Sequence, residues 1–223
     1  MTRQIPVLVV VTGHAQLPNG HKTGLWLEEY AVPAELFRQQ GFSVTVASLT
    51  GGATPVDPNS LPKNVDELQI LNELASTQRL KDLQLTEYEA VFFPGGHGVM
   101  FDLAESAETG AIIADFLTRG RVVGAVCHGP AALVAAKYPD GTPVVKGKKL
   151  SCFTDNEERA AKLDELMPFL LQSRLEQLGA EVITVDNWQD HHIVDGLLVT
   201  GQNPQSSTST AMAFIDAVRQ NSA

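Results

Sequence analysis

Apolar, strand-like runs alternate with helix-like segments along this chain of 223 residues, and that alternation restricts the fold more than any other feature. Continuous runs rich in β-branched residues are typical of strands covered on both faces. They occur at 7–12, 42–48, 90–93 and 122–126. Strands pair in parallel when helices connect them in this order. The chain is therefore predicted to form a mostly parallel α/β sheet with helices on both faces.

The remaining predicted elements fill the intervals between these strands. Helices are predicted over 24–40, 65–80, 108–118, 156–178 and 204–218. Pro33 is expected to kink or divide the first helix, and Pro168 to break the fourth. Further strands are predicted at 181–185 and 197–200, with loops at 49–62 and 138–149 where Gly and Pro gather. Because no linker or repeat interrupts this order, one domain over 1–223 is expected.

Composition argues against several classes of partner. The formal net charge of -10 disfavours nucleic acid or an anionic membrane as the main partner. The apolar run 7–11 is too short for a signal-peptide core or a membrane span. The two cysteines, Cys127 and Cys152, are too few for a secreted disulfide framework. We therefore expect a cytoplasmic protein in which both thiols are free.

Cys127 directly follows the predicted strand 122–126, and Gly129 and Pro130 open a run of helix formers after it. A nucleophile at a sharp strand-to-helix turn needs small residues on both sides, here Ala125 and Gly129, because a side chain there would strike the backbone. The N-terminus of the following helix is expected to favour the thiolate over the thiol. The pattern thus predicts that Cys127 is a nucleophile rather than an inert core cysteine.

Two neighbouring motifs could assist the cysteine. His128 could act as a base or an acid toward a substrate bound to the sulfur, although adjacent residues on a turn point apart. Gly95 and Gly96 end the third strand, where consecutive backbone N–H groups could converge to form an oxyanion hole. His97 could line the same site. The segment lacks the Lys and Ser/Thr of a nucleotide P-loop, so phosphate binding is not supported.

A pair of glutamates supplies a candidate acid group. Glu28 and Glu29 lie about 100° apart on the predicted first helix, so only one of them can face inward. We take Glu29 as the candidate, and the spacing leaves Glu28 open. A carboxyl group held beside a sulfur in a dry pocket should have a raised pKa, and it could move a proton on the substrate.

A second acidic run, 155–158, has two possible uses. A residue at its start, Asp155 or Asn156, is expected to cap a helix. Another could orient His128 as the third member of a triad. We expect Cys152 to be structural, and His191 and His192 to lie in a loop or at the surface, because they have no partner acid or cysteine at ligand spacing.

Taken together, these segments resemble one family. The sequences at 125–130, 94–98 and 23–33 resemble the ThiJ/PfpI superfamily, which shares its fold with class I glutamine amidotransferase domains. The segments 22–33 and 153–158 resemble its heat-shock-chaperone, glyoxalase III-like branch. The similarity covers nearly the whole chain. It implies a flavodoxin-like, doubly wound sheet sandwiched by helices, and usually a homodimer.

The resemblance also implies roles for individual residues. They are a nucleophile at Cys127, its neighbour His128, a glutamate at Glu29, a triad acid at Glu158 with Glu157 as the fallback, and oxyanion donors at Gly96 and in the turn after Cys127. Some chaperone members bind a metal through residues downstream of the glutamate. Arg38 stands where one such ligand is expected, so neither a metal nor another cofactor is predicted.

The activity implied is that of a lyase that converts methylglyoxal to lactate without glutathione. The sulfur would form a hemithioacetal with this small 2-oxoaldehyde substrate. The first alternative is a cysteine hydrolase or amidase, which would use the same thiol, imidazole and oxyanion hole. The second is a redox-sensing chaperone or deglycase-like stress protein, in which an exposed thiol of low pKa is oxidised.

Overall fold

The structure is a computed structural model, and it describes residues 4–61 and 68–221. Its main sheet has seven strands. In chain order they are β1 (Ile5–Val10), β2 (Phe42–Ser48), β3 (Gln78–Arg79), β4 (Ala90–Phe93), β5 (Val122–Val126), β8 (His192–Asp195) and β9 (Leu198–Gly201). The spatial order is β3-β2-β1-β4-β5-β9-β8, and only the β8–β9 pair is antiparallel. Two further strands, β6 (Lys149–Leu150) and β7 (Glu181–Val182), form a separate parallel pair.

Helices cover both faces of the main sheet. They are α1 (Leu27–Gln39), α2 (Leu68–Leu74), α3 (Ala107–Thr118), α4 (Asp155–Ala161), α5 (Leu171–Gln177) and α6 (Ser207–Asn221). Successive side chains of a strand point to opposite faces, so β1 contributes to two cores. Val7 and Val9 pack with Phe37 of α1 and Phe214 of α6. Leu8 and Val10 pack on the other face, in the core to which α3 contributes.

Strand order fixes where a site can form. The chain builds outward from β1 through β2 to β3, then crosses to β4 and builds in the other direction. In such sheets the crevice lies beyond the carboxyl ends of the strands at this reversal. The segments that follow β1, β4 and β5 meet there, and these are the segments that carry Glu29, Gly95 and Cys127.

The predicted fold class is confirmed, and three of the four principal strands have the predicted bounds. Pro33 does not divide the first helix, because α1 continues through it to Gln39. The final helix also differs slightly: Pro204–Ser206 is a short 3-10 turn, and α6 follows it. Within the described residues, no helix combines the length and apolar character that crossing a membrane requires.

The helix predicted over 65–80 is shorter in the structure. Residues 62–67 lie outside the described part of the chain, so its start is not compared. Its described part, α2, ends at Leu74. The cause is a tertiary contact: Thr77 and Gly52 exchange backbone hydrogen bonds of 2.8 and 3.0 Å, which draw the chain into β3.

Predictions for the last third of the chain were less accurate. The helix predicted over 156–178 breaks before Pro168, because Lys162 ends α4 in the left-handed conformation with φ 59°. The strand predicted at 181–185 is only β7, and it pairs in the small sheet. The antiparallel edge strand β8 was not predicted, and His192, which was expected in a loop or at the surface, begins this strand and is half-buried.

Candidate active site

Cys127 occupies a sharp turn immediately after β5. Its φ of 60° lies in the left-handed region that non-glycine residues rarely adopt. The turn is held from both sides, since the Cys127 amide donates to the Gly201 carbonyl at 3.0 Å and its carbonyl accepts from the Phe153 amide at 2.9 Å. A Cβ atom on Gly129 would lie 2.0 Å from the Phe93 carbonyl oxygen. The small residue required by the turn is therefore needed for close backbone packing, as the sequence indicated.

The expected thiol properties are only partly found. Cys127 lines the cavity, but it is 3% exposed. Burial, followed by the neighbouring Glu29 carboxyl, raises the pKa of Cys127. The following segment, Gly129–Leu133, is a 3-10 helix of five residues rather than an α-helix, so it offers little dipole to offset burial. The predictions of an exposed thiol and of a low pKa set by a helix N-terminus are therefore wrong.

Glu29 is the member of the glutamate pair that faces inward. It lies in the first turn of α1 and is fully buried, whereas Glu28 is exposed at the cavity rim. Its Oε2 accepts a hydrogen bond from the Gly95 amide at 2.7 Å. Its Oε1 is buried and has no hydrogen-bond partner in the described part of the chain. Glu29 lines the same cavity as the Cys127 thiol.

Burial controls the protonation of this carboxyl group. It raises the pKa of Glu29 to about 8, although the neighbouring Cys127 side chain and the hydrogen bond from Gly95 act in the opposite direction. At neutral pH Glu29 therefore keeps its proton and can donate a hydrogen bond to sulfur. The raised pKa predicted for this position is confirmed.

His128 is positioned between the sulfur and an acid. Its Nδ1 lies 3.4 Å from the Cys127 Sγ, and its Nε2 lies 2.7 Å from Oε2 of Glu158. Because Nε2 faces a carboxylate, that nitrogen carries the hydrogen and Nδ1 is left to accept the thiol proton. Burial lowers the pKa of His128, and the neighbouring His97 lowers it further. The imidazole is therefore neutral at neutral pH and can act as a base.

Glu158 is shared between two histidines. Its Oε1 lies 2.7 Å from Nε2 of His97, while its Oε2 bonds His128 at the same distance. Burial alone would raise the pKa of Glu158, but the two histidines outweigh burial and hold it well below the ordinary range. The carboxylate is therefore ionised throughout the neutral range. The sequence pattern did not indicate this contact with His97.

The neighbouring Glu157 has a different environment. It is fully buried, and its carboxylate accepts hydrogen bonds from the Trp188 amide, from Gln202 and from Asn203 at 2.9 to 3.2 Å. Its other oxygen accepts from the amide and hydroxyl of Thr154. Thr154 is the N-cap of α4, so the expectation of a cap at Asp155 or Asn156 is wrong. With its oxygens occupied, Glu157 is a structural residue, and Glu158 is the acid beside His128.

Gly95 and Gly96 have different roles in the site. The Gly95 amide donates to Glu29 and is not available as an oxyanion donor, contrary to expectation. Gly96 lines the cavity with Cys127. Its φ of +94° favours glycine, and a Cβ atom there would lie 2.2 Å from the Gly24 carbonyl oxygen. His97 lines the same cavity and contacts Glu158, as described above.

The cavity above the sulfur has a volume of about 320 Å³. Its walls include the aromatic side chains of Trp26, Phe153 and Trp188, with Leu17 and Leu163. None of these was predicted as a site residue. They come from separate loops, and no local spacing in the sequence could have grouped them.

Metal-ligating types of side chain meet at one place in the described residues. Atoms of His97, His128 and Glu158 that could bind a metal lie within 4.8 Å of one another. Both imidazoles already bond the carboxylate at 2.7 Å, so an ion would have to displace both hydrogen bonds. Arg38 instead pairs with Glu73 at 2.7 Å. Cys152 is fully buried and does not line the cavity, in agreement with a structural role.

A parallel sheet of flavodoxin-like order, with a cysteine at a strained turn after a central strand, defines a class of α/β proteins with cysteine-centred sites. Within that class, the chain belongs to the DJ-1/PfpI family, whose model matches residues 23–217. The predicted ThiJ/PfpI resemblance is thereby confirmed.

Individual relatives agree with the family match. The glutathione-independent glyoxalase HSP31 of Saccharomyces cerevisiae is 33% identical, over 96% of this chain and 98% of that protein. The crystal structure of glyoxalase III from Candida albicans is 30% identical, with a TM-score of 0.86 over 96% of this chain and 97% of that one. The structure of the 24 kDa Rapid Encystment Protein of Francisella tularensis is 32% identical, with a TM-score of 0.92 over 96% and 99%.

Proposed function

We propose that this protein is a glutathione-independent glyoxalase that converts methylglyoxal to lactate at Cys127. One observation carries the proposal: the buried carboxyl group of Glu29, whose pKa burial raises to about 8, lines the same cavity as the Cys127 thiol. A glyoxalase must add a nucleophile to an aldehyde and then move a proton between adjacent carbons. A carboxyl group that changes protonation near neutral pH, next to the nucleophile, suits both steps. The glyoxalases among the relatives support the same reaction class.

The first step joins sulfur to the aldehyde carbon. His128 Nδ1 takes the thiol proton while Sγ attacks, and Glu29 gives its proton to the aldehyde oxygen, which forms a neutral hemithioacetal. Glu158 stabilises the imidazolium that results. Gly96 and His128 line the same cavity as Cys127, and we assign their backbone amides to the charge that develops on oxygen.

The second step is an internal oxidation and reduction. The Glu29 carboxylate removes the hydrogen from the former aldehyde carbon, and the imidazolium protonates the ketone oxygen to give an enediol. Glu29 then returns its proton to the second carbon while His128 takes the hydroxyl proton from the first. The first carbon becomes a thioester and the second an alcohol, so no external oxidant is needed. Water cleaves the thioester, and the products are lactate and the free thiol.

Lactate formation from methylglyoxal in the absence of glutathione tests this assignment. We expect turnover by the wild type, a loss of at least about 10³-fold in Cys127→Ser, and a loss of about 10²-fold or more in Glu29→Gln. Cys152→Ala is the matched control, since it alters the other buried thiol, outside the cavity. Near-wild-type activity in Cys127→Ser would refute the proposal. Faster cleavage of glutamine or simple peptides than of methylglyoxal would instead favour a cysteine hydrolase.

We also propose that the protein is a cytoplasmic homodimer that takes part in stress protection. The support is the motif resemblance together with two free cysteines. Light scattering coupled to size-exclusion chromatography tests the dimer. A mass close to 24.0 kDa, the mass of one chain, at micromolar concentration would contradict it.

A further inference from the structure

We propose that the preferred substrates of this site are 2-oxoaldehydes with an aromatic or other bulky apolar substituent, and that Trp188 is the residue that selects for that group. The inference rests on the proposed glyoxalase function and deepens it. It concerns the part of the cavity that methylglyoxal does not fill.

The cavity is too large for methylglyoxal alone. Its volume of about 320 Å³ corresponds to roughly ten water-sized groups at about 30 Å³ each. Methylglyoxal carries only a methyl group beyond its two carbonyls. Cavities of this size in proteins typically enclose considerably larger ligands. Much of the space above the sulfur would therefore remain unfilled by methylglyoxal, and a larger substituent could occupy it.

Aromatic rings line a path from the sulfur to the rim. The His128 and Phe153 ring centroids are 4.4 Å apart, and those of Phe153 and Trp188 are 5.5 Å apart. Once the aldehyde carbon is bonded to Sγ, the substituent on the neighbouring ketone carbon must point away from the floor. It would extend along Phe153 toward Trp188, where an aromatic ring has stacking partners.

Trp188 is held at the rim of the cavity in a strained backbone conformation. Its φ is 63°, a conformation that is unfavourable for a bulky residue. The Trp188 amide is fixed by a 2.9 Å hydrogen bond to the buried Glu157, yet the residue is 40% exposed. Local strain of this kind persists where the surrounding structure determines it, and it clusters at ligand-binding sites. Because the indole is only partly buried, a ligand contact is the reason we assign to this placement.

Acidic groups on the cavity wall also limit the charge that the substituent of the substrate can carry. Glu28 and Asp57 line the cavity, and no lysine or arginine does so among residues 4–61 and 68–221. A phosphate or carboxylate on the substrate would meet acidic groups without a lysine or arginine partner. A neutral apolar group fits the walls better than an anionic one.

Phenylglyoxal is the probe that tests this inference, with mandelate as its product by the same isomerisation and hydrolysis. In the wild type we expect kcat/KM for phenylglyoxal to exceed that for methylglyoxal by about tenfold or more. Trp188→Ala keeps the backbone N–H that Glu157 requires. It should lower kcat/KM for phenylglyoxal about tenfold and that for methylglyoxal less than about threefold. Trp188→Phe should retain most of the preference.

The change in the ratio between variants is the decisive quantity, because the intrinsic reactivities of the two aldehydes cancel in it. Val194→Ala, which alters a half-exposed apolar residue on β8 outside the cavity, is the control and should leave the ratio unchanged. A wild type that prefers methylglyoxal, or an equal loss for both substrates in Trp188→Ala and Trp188→Phe, would overturn the inference and leave the proposed function intact. Failure to convert either aldehyde would remove the proposed function itself.

Discussion

Two histidines at the floor of the cavity share one carboxylate, and this sharing has a kinetic consequence. His97 bonds one oxygen of Glu158 and His128 bonds the other, each at 2.7 Å. The ring centroids of the two histidines are 4.2 Å apart, so a positive charge on one opposes a positive charge on the other. We interpret His97 as a positioning residue that keeps His128 neutral and holds Glu158 in place.

Replacing His97 should therefore change the pH profile as well as the rate. In His97→Phe the pKa of His128 should rise, because one of the influences that lower it is removed. The acidic limb of kcat/KM should then move to higher pH, with a loss of about tenfold at pH 6 and a smaller loss at pH 8. His97→Gln retains an N–H donor and should show a smaller shift. An equal loss at every pH, with an unmoved acidic limb, would mean that His97 only supports the fold.

At the scale of elements, α4 matters because it carries Glu158. Thr154 begins this helix with a capping box, in which its hydroxyl oxygen accepts from the Glu157 amide at 3.0 Å. Thr154→Ala should lower the free energy of unfolding by about 1 kcal/mol. It should also lower kcat/KM severalfold, because small displacements of an orienting acid are costly for the reaction.

A matched substitution separates these two effects. Ser106 caps α3 with a 3.1 Å hydrogen bond from the Thr109 amide, and it does not line the cavity. Ser106→Ala should cost a similar amount in urea unfolding and leave kcat/KM unchanged. If both variants keep full activity, the cap of α4 does not help to position the acid.

The sequence-based predictions were accurate where an element depends on local sequence and inaccurate where it depends on contacts distant in sequence. β4 and β5 are buried on both faces, so they appear as continuous apolar runs with clear ends. Two-residue strands such as β6 are too short to show any periodicity, and β8 pairs at an edge through contacts distant in sequence. Helix ends were misplaced where a tertiary contact such as that of Thr77 prevailed over local preference.

The same distinction applies to the candidate site. Cys127 and His128 could be predicted because the turn after a strand is a local pattern. Helical geometry showed only that one of Glu28 and Glu29 faces inward, and the family resemblance selected Glu29. Trp188 could not be predicted, because its position depends on the buried carboxylate of Glu157. For all of these residues, a role in the reaction stays a prediction until the variants are assayed.

At the scale of the whole molecule, opposing titrations should give a stability maximum at mildly acidic pH. The depressed pKa of Glu158 and the lowered pKa of His128 both mean that the unfolded chain binds more protons in acid. Stability should therefore fall as pH drops through their unfolded pKa values. Glu29 acts in the opposite direction, because its pKa rises from 4.5 to about 8 on folding. The stability that protonated Glu29 contributes is therefore lost as the pH rises from 4.5 to about 8.

Urea unfolding from pH 4 to pH 9 checks this expectation. The free energy of unfolding should be largest near about pH 5–6 and then decline. Glu29→Gln should abolish most of the decline, and it should be more stable than the wild type above pH 8 by an amount on the order of 5 kcal/mol or less. A wild type whose stability still increases between pH 6 and pH 9 would contradict the buried, protonated state of Glu29.

The hydrogen bonds of Glu157 determine how the site should respond to salt. Every hydrogen bond that the structure describes for it comes from an uncharged donor: two backbone amides, a hydroxyl and two carboxamides. Salt screens the attraction between exposed opposite charges, but it weakens buried interactions much less. The loop that carries Trp188 should therefore keep its conformation in concentrated salt. Exposed ion pairs such as Arg38 with Glu73 should weaken under the same conditions. Selectivity toward aldehydes would then be largely indifferent to ionic strength.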